Sequence, residues 1–312
     1  MPTTLRLVSP WKSNRLPGDR TDWPANYAMK REEFWQYLQN YAAEYHLPIT
    51  PGGEITSVQR GADGWRVHTT ESEFTCRLLV NATGYFSNPF IPEVPGIADS
   101  QIPHVHVADY GDPAHVAHLI GKSTGSILIV GKRLSAGQTM LELHEAGFDV
   151  SLSHRTPIEF GADELGWWLF FRIFPYLEWV RLKRLGTKGI STPVRMPGGR
   201  IRKLIASGRV KTFGELRQFE TDHVSFADGQ RVRFDLVIFA TGFRPALRHL
   251  KNLAIETHPV TGVPLLEELE SVSTRGLFFL GLDQGRNFQS RFIRGIRNDA
   301  ACLAERLHQR LL

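Results

Sequence analysis

The segment from Ser126 to Thr156 constrains the fold of this 312-residue chain more than any other. Ser126–Val130 is a continuous apolar run, typical of a parallel strand that is buried on both faces. Gly131 follows it, and three apolar residues then recur at helical spacing. These residues are Ala136, Met140 and Leu143. Gly147 suits a helix C-terminus, and Phe148–Leu152 alternates as in another strand. The segment therefore predicts a strand, a glycine turn, a helix and a second strand.

Such a unit directs its turn and the N-terminus of its helix at one point, where backbone N–H groups and the helix dipole favour a phosphate. The dinucleotide fingerprint needs glycine at its first and third positions and glycine or alanine at its sixth. Gly131 and Ala136 satisfy two of these, whereas Arg133 occupies the third. The Arg133 guanidinium either turns toward the phosphates or displaces them. Taken alone, the turn fits both a nucleotide site and a plain βαβ crossover.

The residues at the end of the second strand indicate whether the dinucleotide is NAD or NADP. A carboxylate at this position binds the ribose 2′-hydroxyl of NAD, whereas an arginine suits the additional phosphate of NADP. The chain has Ser153, His154 and Arg155 here and no carboxylate beside them. The sequence therefore predicts NADPH.

Composition limits the class of protein and its partners. A chain of this length can form two domains, and 42% hydrophobic with 22% charged residues is the composition of a globular protein. The net charge of +5 suits an anionic cofactor. No basic run with interleaved aromatic residues occurs, so we expect no nucleic-acid partner.

Cysteine usage and hydropathy indicate the compartment. Cys76 and Cys302 are far apart and form no C-x-x-C pair, which argues against a dithiol active site of that kind and indicates a reducing environment. The N-terminus lacks the apolar core of a signal peptide, and no run reaches the roughly 18 apolar residues of a membrane helix. The sequence predicts a cytoplasmic protein without a transmembrane segment and is compatible with a homo-oligomer.

A duplication sets the predicted domain organisation. Two apolar strands, Leu78–Asn81 and Leu236–Ala240, each lead into Ala-Thr-Gly with an aromatic residue directly after it. The two tripeptides are predicted crossings between two α/β domains, one inserted into the other, and their glycine turns let backbone pass close to a cofactor. The predicted domains are residues 121–244, which bind the dinucleotide, and residues 1–120 with 245–312.

Further elements follow from local patterns. The sequence predicts a helix over Arg31–Tyr45 with Phe34, Leu38 and Tyr41 on one face, and short antiparallel meanders over Glu54–Thr75 and Val210–Arg233. The remaining predicted elements are strands at Leu47–Thr50 and Gly276–Gly281 and a helix from about Phe288 to Leu311.

Two segments leave alternatives open. The histidines at 104, 106, 115 and 118 have H-x-H and H-x-x-H spacing, but no cysteine or carboxylate cluster joins them and Pro113 interrupts the segment. We therefore predict a loop and no metal. The aromatic stretch Trp167–Trp179 fits a lipophilic pocket, a lid or a membrane-surface contact, and equally ordinary core packing.

Five segments, taken together and in order, resemble the flavin-containing monooxygenase-like NAD(P)H flavoproteins. The segments are SPWKSNRLPG, REEFWQYLQNYA, VNATGYFSNPFIPEVPG, VIFATGFRPA and GLFFLGL with RFIRGIRNDAA. The resemblance covers nearly the whole chain. It implies two doubly wound, Rossmann-like domains that bind FAD and NADPH, with the Ala-Thr-Gly stretches linking them.

The resemblance also implies site residues. Those on the NADP side are Gly131, Lys132, Arg133, Ser135 and Ala136 at the pyrophosphate, His154 and Arg155 at the 2′-phosphate, and Thr241 and Gly242. Those on the FAD side are Thr83, Gly84, Tyr85, Gly281 and Asp283. No catalytic acid or base is assigned, since the flavin carries the chemistry.

The chain departs from the family pattern in two places. His106 and Tyr110 match the second half of the monooxygenase signature, but Ser100 and Ile102 stand where phenylalanine and glycine are expected. In addition, no G-x-G-x-x-G for the FAD pyrophosphate occurs before Ser126. A start codon assigned too late, a genuine fragment and a missing half supplied by another chain each explain this second departure.

The sequence thus supports a principal hypothesis and two alternatives. The first is an NADPH-dependent flavoprotein that uses reduced FAD and dioxygen to insert oxygen into a small lipophilic substrate. The second is a truncated or non-catalytic NADP-binding protein without autonomous FAD binding. The third is a flavoprotein reductase that never hydroxylates.

Overall fold

The structure is a computed structural model that describes residues 7, 9–161, 166, 194–283, 285–286 and 289–312. Contacts divide the chain into two compact units. Among the described residues, the first unit contains 89–161, 166 and 194–242, and the second contains 7, 9–88 and the residues from 243 onward.

The described helices and strands are numbered from the N-terminus. The helices are α1 (Trp11–Asn14), α2 (Arg31–Glu44), α3 (Pro113–Ile120), α4 (Leu134–Glu145), α5 (Gly199–Ala206) and α6 (Ile293–Leu311). The strands up to the centre of the chain are β1 (Ile55–Arg60), β2 (Trp65–Thr69), β3 (Glu73–Cys76), β4 (Leu79–Asn81), β5 (His104–His106), β6 (Ser126–Val130) and β7 (Asp149–Ser153). The later strands are β8 (Lys211–Phe213), β9 (Leu216–Phe219), β10 (Val224–Phe226), β11 (Arg231–Val232), β12 (Leu236–Phe239), β13 (Leu266–Glu267), β14 (Glu270–Ser271) and β15 (Leu277–Phe279).

A five-stranded parallel sheet forms the centre of the first unit, in the order β5-β12-β6-β7-β8. Its central strands are continuous apolar runs because both faces are covered. Helix α4 covers one face with Ala136, Met140 and Leu143, all fully buried. The predicted strand, turn, helix and strand are therefore confirmed, and the α/β fold class with them.

The other face of this sheet packs on aromatic residues from an antiparallel layer, β9-β10-β11. The rings of Phe213 and Phe226 stack with centroids 4.5 Å apart. The predicted meander over Val210–Arg233 is correct for β9 to β11, but wrong for its first part. Lys211–Phe213 pairs in parallel with β7 and is the fifth strand of the central sheet.

The histidine-rich segment is ordered structure rather than the predicted loop. His104 and His106 lie on β5, which pairs with β12. Pro113 begins α3 instead of interrupting the segment, because the Asp112 carboxylate accepts a hydrogen bond from the backbone N–H of His115 at 2.9 Å and caps the helix.

The second unit contains the predicted antiparallel meander β1-β2-β3 and a mixed sheet in the order β13-β14-β15-β4. Strands β15 and β4 are parallel, and Leu277 pairs with Leu79. Trp65, Leu277 and Phe279 are fully buried and pack in one cluster. The strands predicted at Leu78–Asn81 and Gly276–Gly281 are therefore both present.

Helix α2 exists as predicted, and Tyr37 is its buried residue, with Phe34 partly buried beside it. Tyr37 is 6% exposed and packs edge-on against Trp11 with ring centroids 4.7 Å apart, whereas Leu38 is 39% exposed. No strand forms at Leu47–Thr50. The C-terminal helix begins at Ile293, after Phe292 as its N-cap, rather than near Phe288, which lies outside the described residues.

The two units divide at residues 88/89 and 242/243, whereas the sequence placed domain boundaries at 120/121 and 244/245. The difference at the first boundary arises because β5 pairs with β12, so that the stretch before residue 121 joins the unit of the parallel sheet. Which cofactor each predicted domain binds stays a prediction.

Replacement of a central core residue should destabilise the first unit. Ile238 is fully buried on β12, between β5 and β6. We expect Ile238→Ala to lower the free energy of unfolding by about 2–5 kcal/mol, because it removes buried methyl groups and leaves a cavity. Urea unfolding followed by circular dichroism measures the change. Val260→Ala, at a side chain that is 72% exposed, is the control, and an equal loss in both variants would contradict this packing.

Candidate functional site

The turn after β6 lies between two other strand ends. The backbone N–H of Gly131 donates to the carbonyl of Ser153 at the end of β7 at 2.9 Å. On its other side, a Cβ on Gly131 would lie 2.6 Å from the carbonyl oxygen of Ala240, directly after β12. Glycine is required here because the ends of β6 and β12 approach closely, and this brings the turn beside the second Ala-Thr-Gly crossing.

Helix α4 begins directly after this turn, and its first backbone N–H groups have no partner within the helix. Its first intrahelical bond runs from the N–H of Gly137 to the carbonyl of Arg133, so the N–H groups of Leu134, Ser135 and Ala136 have no acceptor within the helix. The N-cap residue, Arg133, makes no side-chain cap, and the first turn contains no acidic residue. This N-terminus is electrostatically suited to an anion.

Cationic side chains lie at the carboxyl ends of β6 and β7. The Nζ atom of Lys132 donates to the carbonyl of Pro157 at 3.1 Å. Burial lowers the pKa of His154, as does the nearby Lys132 charge, against a hydrogen bond with Thr156 that raises it. Arg155 is exposed. The buried Ser153 donates its hydroxyl to the carbonyl of Gly214 at 2.7 Å, so that hydroxyl hydrogen is already engaged within the protein.

The second crossing is tied to β5 through His106. The Nδ1 atom of His106 accepts from the backbone N–H of Ala108 at 3.1 Å, so the proton resides on Nε2, which lies 2.9 Å from the carbonyl oxygen of Gly242. Burial lowers the pKa of His106, and the neutral ring is thereby favoured. His106 thus holds the backbone of Gly242 through Nε2 and the backbone of Ala108 through Nδ1.

The fold also holds Thr241, through a hydrogen bond, and Tyr110, through burial. The hydroxyl of Thr241 donates to the carbonyl of Phe90, and the N–H of Phe90 donates to the carbonyl of Gly242 at 3.0 Å. Tyr110 is fully buried, and burial together with the charge of Glu142 raises its pKa. The two signature residues, His106 and Tyr110, are therefore both buried within the first unit.

In the second unit, Tyr85 binds Asp283 twice. Its hydroxyl accepts from the backbone N–H of Asp283 at 2.9 Å and donates to Oδ2 of the same residue at 3.2 Å. The guanidinium of Arg291 lies 3.3 Å from that oxygen. Burial raises the pKa of Tyr85, as does the charge of Asp283, so the phenol stays a donor. Two residues predicted from distant parts of the chain, 85 and 283, are therefore in contact.

A directional hydrogen-bond chain fixes the first crossing. His249 Nε2 donates to Oδ1 of Asn81 at 2.8 Å, Asn81 Nδ2 donates to the hydroxyl of Thr83 at 3.1 Å, and that hydroxyl donates to the carbonyl of Ala246 at 2.8 Å. These polar side chains line a cavity of about 230 Å³ together with apolar residues, which are Ile55, Val58, Leu79, Val80 and Ala82.

Sequence reasoning missed His249 and Asn81. Asn81 directly precedes the first Ala-Thr-Gly, and this is the one sequence signal that could have identified it. The two predicted glycines of this unit, Gly84 and Gly281, adopt φ values of +60° and +81°, which a residue with a side chain rarely adopts.

The predicted site residues therefore form two groups, one in each unit. The stretch Trp167–Trp179 lies outside the described residues. Within the described ranges, no helix is both long and apolar enough to cross a bilayer. The same residues contain no cluster of three or more histidine, cysteine or acidic side chains arranged to bind a metal.

The chain is similar to known oxidoreductases in sequence and in fold. The family described as pyridine nucleotide-disulphide oxidoreductase matches residues 19–281. An uncharacterized oxidoreductase, CzcO-like, of Geobacillus kaustophilus is 28% identical over 304 residues, covering 96% of this chain and 84% of that relative.

Two solved structures share the fold. Flavin-containing monooxygenase from Stenotrophomonas maltophilia has a TM-score of 0.79 at 22% identity, covering 100% of this chain and 86% of that chain. Bacillithiol disulfide reductase from Bacillus cereus has a TM-score of 0.73 at 18% identity, covering 99% of this chain and 86% of that chain. At these identities the likeness is one of fold.

Acidification should destabilise the protein through one buried histidine and two half-buried ones. Burial lowers the pKa of His106, His154 and His249, so the folded state favours their neutral forms. In the unfolded chain they bind protons near pH 6.5, so their contribution to stability is complete above about that pH and is lost as the pH falls toward the lower folded-state pKa values. Unfolding free energies measured from about pH 8 to about pH 5.5 should therefore fall.

His106→Ala is the diagnostic variant for this pH dependence. At about pH 8 it should lower the free energy of unfolding by about 1–3 kcal/mol, because Ala108 and Gly242 lose their partners. Its pH dependence should be shallower than that of the wild type. A variant that retains the full wild-type slope would show that His106 does not contribute.

Proposed function

Because the chain belongs to the pyridine nucleotide-disulphide oxidoreductase family, we propose that it is an NADPH-dependent flavoprotein that inserts oxygen into a small lipophilic substrate. Family membership implies FAD and a nicotinamide dinucleotide as cofactors. The observation that carries the choice of NADPH is Arg155 after the end of β7, with His154 before it and no carboxylate beside them.

The residues of the first unit fit a dinucleotide. Gly131 leaves no side chain over the turn, and the N–H groups of Leu134, Ser135 and Ala136 remain as donors for the pyrophosphate. Lys132 adds a positive charge beside them. Arg155 receives the 2′-phosphate with His154 beside it, while Thr241 and Gly242 shape the adjacent backbone.

The residues of the second unit fit the flavin nucleotide. Gly84 and Gly281 keep side chains away from two positive-φ turns. Tyr85 fixes the backbone and carboxylate of Asp283, with Thr83 held on the neighbouring segment. FAD, when bound, supplies the redox chemistry toward NADPH and dioxygen. The protein binds and orients it.

No proton-transfer role is proposed for His106. A general base needs a free lone pair near neutral pH, whereas Nδ1 accepts from Ala108 and Nε2–H donates to Gly242. The proposed contribution of the chain is therefore binding, orientation and exclusion of water, rather than acid–base catalysis.

Two alternatives remain beside this proposal. A reductase that does not insert oxygen is favoured by Ser100 and Ile102, which depart from the monooxygenase signature. In a non-catalytic NADP-binding protein, the first unit would bind the dinucleotide without a redox reaction.

Absorbance and oxygen uptake separate the three. The principal proposal expects purified protein, supplied with FAD, to show flavin absorption bands, oxidise NADPH and consume oxygen while an added lipophilic substrate gains an oxygen atom. NADPH oxidation without an oxygenated product would favour the reductase. Protein that stays colourless, yet melts at a higher temperature with NADPH, would favour the binding protein.

Arg155→Ala should change the choice between the two nicotinamide dinucleotides. We expect the Kd for NADPH to rise about tenfold or more, because a charge-assisted contact to the 2′-phosphate is lost, and the Kd for NADH to stay within about twofold. Isothermal titration calorimetry measures both. Arg231→Ala, at an exposed residue paired with Glu220, is the matched control. Equal weakening of both dinucleotides would reject this role of Arg155.

A further inference from the structure

Arg133 has a second arginine opposite it. The backbones of Arg133 and Arg195 pair as an isolated antiparallel bridge, although the two residues are far apart in sequence. In an antiparallel pair, residues directly opposite each other project their side chains to the same face of the pair. The two guanidinium groups therefore leave the backbone together, at the N-terminus of α4.

Close packing against α4 fixes the position of Arg195. A Cβ on Gly137 would lie 2.8 Å from Cγ of Met196 and 3.3 Å from Cδ of Pro197. The missing side chain at Gly137 lets this segment lie directly on the first turns of the helix. Met196 is fully buried, and its N–H donates to the carbonyl of Glu159 at 3.2 Å. The residue before Met196 is thereby held beside the Gly131 turn.

The charges of this pair are incompletely balanced. Like charges directly opposite each other on paired backbone destabilise a protein. Arg195 forms an ion pair with Glu159, with Nε and Oε2 3.3 Å apart and both side chains about 60% exposed. Among the described residues, Arg133 forms no ion pair. One positive charge is therefore left uncompensated, next to a helix N-terminus that has no acidic residue of its own.

We propose that Arg133 and Arg195 form a two-guanidinium site for the pyrophosphate of the nicotinamide dinucleotide. The proposal rests on the function proposed above and assigns Arg195 a binding role. A third-position glycine would let the pyrophosphate contact the backbone. Here the Arg133 side chain prevents that contact, and the arginine pair replaces it with two planar donor groups that suit phosphate oxygens.

The pyrophosphate, rather than the 2′-phosphate, is the group that this pair should bind. The pair adjoins the start of α4, where the unused N–H groups are found, whereas the predicted 2′-phosphate residues, His154 and Arg155, follow the end of β7. NADH and NADPH share the pyrophosphate. The arginine pair should therefore set affinity for both dinucleotides, and Arg155 the preference between them.

Binding measurements on variants of the full chain test this assignment. We expect Arg195→Ala and Arg133→Ala each to raise the Kd values for NADPH and NADH about tenfold, leaving their ratio unchanged, because each removes a charge-assisted contact to the shared group. Arg200→Ala is the control, since Arg200 is exposed and pairs with Glu145 at 2.6 Å. It should bind both dinucleotides as the wild type does.

Two further measurements use no dinucleotide, and a third measures dinucleotide binding by a variant of Glu159. Inorganic pyrophosphate should raise the melting temperature of the wild type, and less so that of Arg195→Ala. Without ligand, Arg195→Ala should melt no lower than the wild type, since it relieves repulsion with Arg133. Glu159→Gln should tighten dinucleotide binding, because Glu159 competes with the phosphates for Arg195.

The outcomes separate this proposal from the function on which it rests. Wild-type protein that binds neither dinucleotide would overturn both. Wild-type protein that binds NADPH while Arg195→Ala binds it equally well would overturn the arginine pair alone. A change in the ratio of the two Kd values on Arg195→Ala would also overturn it, by placing Arg195 at the 2′-phosphate.

Discussion

The site in the first unit depends on the close approach of two parallel strand ends. The carbonyl of Ala240, after β12, occupies the space that a side chain on Gly131, after β6, would need. This contact holds the turn before α4 against the second Ala-Thr-Gly crossing. The next residues of that crossing are tied to His106 and Phe90, so β5, β6 and β12 end at one edge with their backbones fixed.

Parallel strands place residues from distant parts of the sequence at this edge, because all their carboxyl ends meet there. The turn brings Lys132 and Arg133, the end of β7 brings Arg155, and a segment packed on Gly137 brings Arg195. Positive charge thereby accumulates along this edge of the sheet, and two of these residues, Arg133 and Arg195, lie at the N-terminus of α4. Such an accumulation costs stability in the free protein and is offset when an anion binds.

The second unit relies on hydrogen-bond networks, one of which includes the ion pair of Asp283 and Arg291. Tyr85 closes on the backbone and carboxylate of Asp283, and a donor chain leads from His249 through Asn81 to Thr83. Both networks hold the segment that follows β4. Buried polar groups of this kind are costly when unpaired, so full pairing fixes one conformation of the backbone.

The local sequence pattern by itself determined those strands, turns and helices whose packing partners are near in sequence. The apolar runs, Gly131 and the helical spacing of Ala136, Met140 and Leu143 specified the βαβ unit, and the repeated Ala-Thr-Gly marked both crossings. Tertiary structure alone decided that Lys211–Phe213 joins the parallel sheet, that Tyr37 rather than Leu38 is buried, and that Arg195 lies opposite Arg133. The physical reason is that strand pairing, burial and charge proximity depend on which distant segment packs nearby, and a single sequence window contains no information about that neighbour.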